Sequence, residues 1–411
     1  MDRRWLATAA LSLAPAAVHA SAEDVVGYGT RSPAMAGAGA ASATEYDAVY
    51  LNPAGLVDAE PRAMTYGFVA THFDVSGPER LDTLGRPVGT DPRIEPARGA
   101  IIGVTLRIPF EASWKDRVTL GMGFYTPTNV VVRGDILLPE EPQMLLLGSR
   151  MQSVAIQIAL GARVTDRLSV GAGFRALAEL VGAIHVSTDA AGRIYSRSDS
   201  ELVATYAPTF GARYLLDDRT TLGLAFRGTL EGTFDYDIYT ENLPLPLPPM
   251  NVEGIAQYDP MTLVLEGARR FGPLLVEGGL AWKSWSDYPG PTVATTTSAA
   301  QPPAADISDI VVPRAAAEWE IRSPGASLFV RGGLAYEASP LGPGREIARW
   351  YDNDRLQIGS GLGLAIHRAD LPPIRLDVHE QVQWLLPRDH ADAQSTSGLL
   401  WSTGVTAAVS F

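Results

Sequence analysis

The residues able to do chemistry are few, and their spacing rules out most of what they could do. The six histidines, His19, His72, His185, His367, His379 and His390, show no metal-ligand spacing, and the chain has no cysteine. Gly37-Ala38-Gly39 lacks the strand–helix context and the lysine of a phosphate loop. His379 shares a face with Asp377 and Gln381, but an ester hydrolase would need a serine beside it on a neighbouring strand, and the sequence singles none out. No cofactor and no metal are expected. Arg175 is the best candidate for binding chemistry, because a guanidinium can hold a carboxylate through paired hydrogen bonds. Pairing with a neighbouring acidic side chain is the plainer alternative for it.

The segments that carry these residues alternate with period two. At the C-terminus Leu399, Trp401, Val405, Val409 and Phe411 fall on one face and Ser402, Gly404, Thr406 and Ser410 on the other. From Leu168 to Leu180, Val170, Ala172, Phe174 and Ala176 oppose Gly171, Gly173, Arg175 and Glu179. Inward charges read this way include Arg107, Arg163, Arg227, Arg331, Glu231, Glu277 and Lys283. About fourteen such strands run from residue 63 to 411, among them 117–132, 220–239 and 252–270. Compact turns alternate with long segments at 76–97, 133–149, 240–251, 287–310 and 339–354. Tyr125, Trp282, Trp285, Tyr288, Trp319, Trp350, Tyr351, Trp384 and Trp401 lie near strand ends, as interfacial girdles would. The expected fold is therefore an all-β, antiparallel transmembrane barrel, closed because lipid cannot satisfy a free sheet edge.

The N-terminus agrees with that compartment. Arg3 and Arg4 precede an apolar stretch too short to span a bilayer, followed by small residues at Val18-His19-Ala20 or Ala20-Ser21-Ala22. Residues 1–22 are expected to be a secretory signal peptide. Hydrophobic residues make up 46% of the chain, yet no later run approaches the ~18 residues of a membrane helix. A net charge of −13 argues against nucleic acid as a partner. One position resists the pattern: Glu380 shares the apolar face of Ile374, Leu376, Val378, Val382 and Trp384. Either the register slips there or Glu380 has a partner.

Two features bear on how an apolar molecule would be handled. Leu137, Leu138, Leu145 and Leu146 form an apolar cluster in a long outer segment, either a binding surface or an extension of flanking strands. Pro127 falls inside an apparent strand, where it cannot donate to the ladder, and marks either a side opening or a strand end.

Residues 23–62 do not alternate. Gly27-Tyr28-Gly29 is followed by Met35-Ala36-Gly37-Ala38-Gly39-Ala40 and then by Asp47 and Asn52-Pro53-Ala54-Gly55, where Asn52 can cap a helix that Pro53 begins. This run resembles the N-terminus of the FadL/TodX family of hydrophobic-compound transporters. Met35, Gly37, Gly39, Ala43, Asp47, Asn52, Pro53, Ala54 and Gly55 carry the match, with weaker support from Tyr125-Thr126-Pro127, Asp352-Asn353-Asp354-Arg355 and Phe411. The resemblance implies a fourteen-stranded outer-membrane barrel, residues 63–411, plugged by an N-terminal hatch, residues 23–62. It implies passive uptake of long-chain fatty acids or aromatic hydrocarbons, captured at outer loops and released sideways near the third strand. It also implies outer-membrane lipid as the surroundings and delivery to the barrel-assembly machinery through Phe411. An outer-membrane lipase or esterase and a structural or adhesive barrel are the competing readings; neither needs a plug.

Overall fold

The computed structural model describes residues 21–77, 79–81, 87–90, 96–128, 143–144, 147, 154–188, 193–241, 248–288, 292–295, 307–342, 350–368, 372–390 and 395–411. Leu137, Leu138, Leu145 and Leu146 lie outside these residues, as do positions 1–20 of the expected signal peptide.

Fourteen strands form the wall: β1 (Arg62–Ser76), β2 (Arg98–Arg107), β3 (Val118–Pro127), β4 (Ala155–Arg163), β5 (Leu168–Thr188), β6 (Ile194–Asp217) and β7 (Thr220–Arg227), then β8 (Thr262–Phe271), β9 (Leu274–Lys283), β10 (Ile310–Ser323), β11 (Ala326–Glu337), β12 (Arg355–Ile366), β13 (Ile374–Asp389) and β14 (Ser395–Ser410). Each pairs antiparallel with the next in chain order, and β14 closes on β1 from Ala63↔Ser410 to Ser76↔Ser397. Closure leaves the wall without a free edge. Tight turns join one end; in Ser323-Pro324-Gly325-Ala326 the proline presets its own φ and Gly325 takes φ +80°. The long connections fall at the other end, the asymmetry expected of short periplasmic turns and long outer loops.

The alternation sorts lipid from lumen. On β14, Leu399, Val405 and Val409 are exposed outward, whereas Ser402 and Thr406 are buried inward. Trp319 and Trp384 are about half exposed on the outer surface, toward opposite ends of the barrel, since their strands run in opposite directions. Tyr125, Trp285, Tyr288 and Tyr351 are not part of a lipid girdle: all are buried, and Trp285 and Tyr288 pack with Tyr258 inside the outer mouth. Proximity to a strand end does not tell which face an aromatic ring takes.

Two expected strands bend away from the wall. Instead of running on through 220–239 and 252–270, the wall pairs β7 directly with β8, Arg227 opposite Thr262. Beyond Gly228 and before Pro260 the chain forms a separate hairpin, Leu230–Glu241 with Met250–Asp259. Pro260 lacks the N–H that a continued ladder would need. The hairpin crosses inward, with Gly228 N donating to Pro208 O at 2.8 Å, and then pairs in parallel with β5, from Phe234↔Leu180 to Glu241↔Ser187. β5 and β6 have 21 and 24 residues, far beyond the ~10 that cross a bilayer. β4 stops at Ala155, opposite Leu177, so the upper edge of β5 would be bare; the hairpin covers it.

Glu380 keeps the register. It is exposed outward between Ser360 on β12 and Thr403 on β14, which are exposed as well. The register does not slip, so a carboxylate does stand on the lipid-facing surface. Two small polar neighbours soften a placement that costs up to a few kcal/mol at mid-bilayer.

Candidate functional site: a hatch socketed in the bore

Residues 21–60 fill the lumen with short helical turns joined by irregular backbone. The first turn, Ala22–Val26, is capped by Ser21, whose Oγ accepts from Asp24 N at 3.1 Å. Arg31–Ala34 and Ala48–Leu51 follow, and a 3₁₀ turn spans Pro53–Asp58. Asn52 caps that last turn by accepting from Ala54 N at 3.1 Å, and Pro53 takes its first position, where a missing N–H costs nothing.

Irregular backbone inside a barrel has N–H and C=O groups that no ladder satisfies, so the wall must supply partners. Glu266 on β8 accepts from Gly39 N at 2.9 Å and Ala40 N at 2.6 Å. Glu277 on β9 accepts from Ala41 N at 2.9 Å and from the Ser42 hydroxyl. Arg314 on β10 donates to Gly37 O at 2.6 Å. Asn52 Nδ2 donates to Ala40 O at 2.7 Å and to Ala212 O on β6 at 3.1 Å. The small-residue run lets the backbone come this close: Gly37 takes φ +84°, and Ala36, Ala38 and Ala40 are buried. The wall reciprocates with glycine. A Cβ on Gly171 would stand 2.4 Å from the Pro53 carbonyl carbon, one on Gly211 2.0 Å from Asn52 Oδ1, and one on Gly223 2.2 Å from Ala40 O. Glycine and charge share the inward face because the hatch docks there, not because the lumen at that level is full of water.

Ion pairs fasten both ends. At the head, Lys283 binds Asp24 and Glu337, each at 2.9 Å. At the foot, Arg163 and Arg213 hold Asp58, and Arg107 donates to Ala59 O at 2.8 Å. Between them runs a chain of charges: Arg31 to Glu318 at 3.1 Å, Glu318 to Arg331 at 2.7 Å, Arg331 to Asp377 at 2.6 Å, and Arg375 to both Asp377 and Glu45. Within the hatch, burial holds Asp47 above the usual carboxylate range and raises Glu23 to about 7.

Several residues read from the sequence have specific settings. Arg175 is buried and already engaged, by Asp259 at 3.0 Å and Gly228 O at 3.1 Å. The hatch residues Gly39, Asn52, Pro53, Ala54 and Gly55 are brought together against β4–β8, and Gly37 meets Arg314 on β10. Pro127 is the last residue of β3 rather than an interior one, paired with Gly99 on β2. On its other side the β3–β4 seam ends at Tyr125↔Ala155, so among the described residues Thr126 and Pro127 have no partner on β4.

Two things escaped the sequence. Glu266 and Glu318 stand at inward positions of the alternation, so their aim was readable, but their hatch partners were not. Ser402 was missed outright. Its Oγ lies 3.3 Å from His379 Nε2 across the β13–β14 ladder. The pair has no acid behind it: Asp377 is spent on Arg331 and Arg375, and His379 Nδ1 is buried without a partner among the described residues.

At the foot a cavity of about 280 Å³ is lined by Arg31, Asp47, Arg213, Arg219, Arg270 and Arg375, and one of about 130 Å³ lies beside Glu45, Phe329 and His367. At the hatch head, buried Val25 and Tyr28 join Tyr125, Met144, Leu177, Ile255 and Trp285 in one apolar cluster that continues down the hatch through Val49, Leu51 and Leu56.

Comparison with known proteins agrees with this architecture. A Pseudomonas aeruginosa FadL homologue of known structure superposes with a TM-score of 0.64 at 15% identity, covering 97% of this chain and all of the other. The Pseudomonas putida toluene transporter TodX superposes at 0.54 with 15% identity, over 94% of this chain and 99% of the other. Alkane uptake protein A of Marinobacter nauticus is 27% identical over 245 residues, 56% of this chain. The chain spans about half the length of that curated relative (53%). The model of the outer membrane protein transport family (OMPP1/FadL/TodX) matches residues 9–379, nearly the whole chain. A fourteen-strand wall with its N-terminal segment in the bore and a family match of that extent settle the class: this chain belongs to the outer membrane protein transport family (OMPP1/FadL/TodX).

Proposed function

We propose that the protein takes up uncharged hydrocarbons passively, capturing them at the outer loops and releasing them sideways into the membrane near the end of β3. The carrying observation is the apolar cluster that joins the hatch head to the outer mouth. An apolar molecule entering from outside meets the cluster at the hatch head, whereas the way straight down is closed by packed backbone and a layer of ion pairs. Desolvating those charges would cost several kcal/mol, so the downward route is disfavoured. Among the described residues the β3–β4 ladder ends at Tyr125 and Ala155, and that end beside Pro127 offers a lateral exit at the level of the cluster. Leu137, Leu138, Leu145 and Leu146, which lie outside the described residues, would serve at the capture end.

Uncharged substrates are favoured over fatty acids by the state of Arg175. A ligand carboxylate there would have to displace Asp259 and strand it in a buried site, a penalty of ~1–3 kcal/mol or more. Alkanes and monoaromatics, the classes named in the relatives above, carry no such headgroup. Outer-membrane vesicles with and without the protein, given labelled hexadecane, toluene and oleate, test both parts. Uptake of hexadecane or toluene well above empty vesicles, with oleate slower, is expected. No uptake above empty vesicles would reject transport; uptake of oleate alone would reject the substrate class.

A further inference from the structure

We propose that the signal peptide is cut between Ala20 and Ser21, and that the α-ammonium freed on Ser21 becomes the buried cation locking the hatch to the outer hairpin. The sequence offers two cleavage sites, after Ala20 and after Ala22. The structure distinguishes them. Ser21 is buried, its nitrogen donates to Asp259 Oδ1 at 2.7 Å, and its hydroxyl caps the first hatch turn. Cleavage after Ala22 would discard all of this; cleavage after Ala20 would keep it and strengthen it.

The electrostatics point the same way. Asp259, at the foot of the outer hairpin, shares Arg175 on β5 with the Gly228 carbonyl. Glu23 is 94% buried beside them, and its Oε1 has no hydrogen-bond partner among the described residues. Lys283 is occupied by Asp24 and Glu337. Around Ser21 two carboxyls, Asp259 and Glu23, lie beside Arg175, while Arg227, the next cation, stacks over Tyr50 and donates to its carbonyl. A neutral amide at Ser21 offers those two carboxyls a single donor, whereas an ammonium brings one positive charge and three donors. Hydrolysis of the Ala20–Ser21 bond adds the oxygen of one water to the Ala20 carboxyl and releases the Ser21 nitrogen as an amine, which takes a proton. Export processing itself would then complete the contact that fixes the hatch head beneath the hairpin.

The full-length gene product, purified from outer membranes, supplies the test. Its intact mass should correspond to a chain beginning at Ser21; a chain beginning at Glu23, or elsewhere, overturns the proposal. The sequence contains two lysines, Lys115 and Lys283, so the α-amine can be followed by itself during reductive methylation at pH 7.5. An open α-amine, with its ordinary pKa of ~7.7–8.0, reacts faster than a lysine. Here the order should invert, with Ser21 reacting at least about tenfold slower than the exposed Lys115. Asp259→Asn should restore fast reaction, and Glu23→Gln, the gentler change, should do so in part. A Ser21 amine as reactive as Lys115 in the unaltered protein, or protection unchanged in both variants, rejects the lock. Those outcomes leave hydrocarbon uptake untouched, so the two readings fail separately.

Discussion

Replacing Glu266 and Glu277 together by alanine is expected to open the bore to ions. Each carboxylate accepts two hydrogen bonds from the hatch run at Gly39–Ser42, and all the groups concerned are buried or nearly so. Truncation leaves three backbone N–H groups, those of Gly39, Ala40 and Ala41, without their acceptors. A bond to a charged group is worth roughly 1.5–3 kcal/mol net, and an unmet buried donor costs as much again. Discounting heavily for relaxation, about 3 kcal/mol per site shifts the docked–undocked balance of the hatch by roughly a hundredfold for each carboxylate lost and roughly ten-thousandfold for both. Planar-bilayer recordings should show long open events that are rare in the unaltered channel. The wall should survive, since both side chains point inward and the β8–β9 ladder is made by backbone.

Arg331→Met is expected to weaken the barrel itself. Arg331 is fully buried and sits between Glu318 and Asp377, each of which is shared with another arginine, Arg31 or Arg375. Removing the central cation leaves two buried carboxylates short of charge, a situation that costs about 3–5 kcal/mol. The heat-modifiable unfolding transition in detergent should fall well below that of the unaltered protein. Arg331→Lys should recover little of the loss, because an ammonium cannot reach both carboxylates with the fixed fork of a guanidinium.

These two variants also mark where sequence stops being informative. Period-two alternation was enough to place most strands and to say that Arg175, Arg331 and Glu277 point inward. It could not say what they meet, since an inward charge reads the same whether it faces water, a counter-ion or the backbone of a plug. An inward glycine on β4–β8 likewise reads the same whether it lines an open lumen or makes a socket for the plug. The bend at Gly228 and Pro260 had a local signal in Pro260, but the preceding alternation ran straight through it and masked the departure. Ser402 next to His379 depends on the register between β13 and β14, which is set by pairing across strands and not by either strand alone. Tyr125, Trp285 and Tyr288 show the same limit, since an aromatic ring at a strand end suits a membrane interface and an apolar mouth equally well. The hatch was legible because small residues, an Asn-Pro turn and the absence of alternation coincide within one short stretch.

The central claim is that residues 21–60 seal the bore, so that ions are held back while apolar molecules leave through the side. The most direct measurement is the single-channel conductance of the intact protein beside one lacking Gly27–Leu56, both in planar bilayers. A nearly silent intact channel and a large, steady ionic conductance after the deletion are the expected results. Equal conductance in the two would mean that the segment does not close the barrel, and the account would fail.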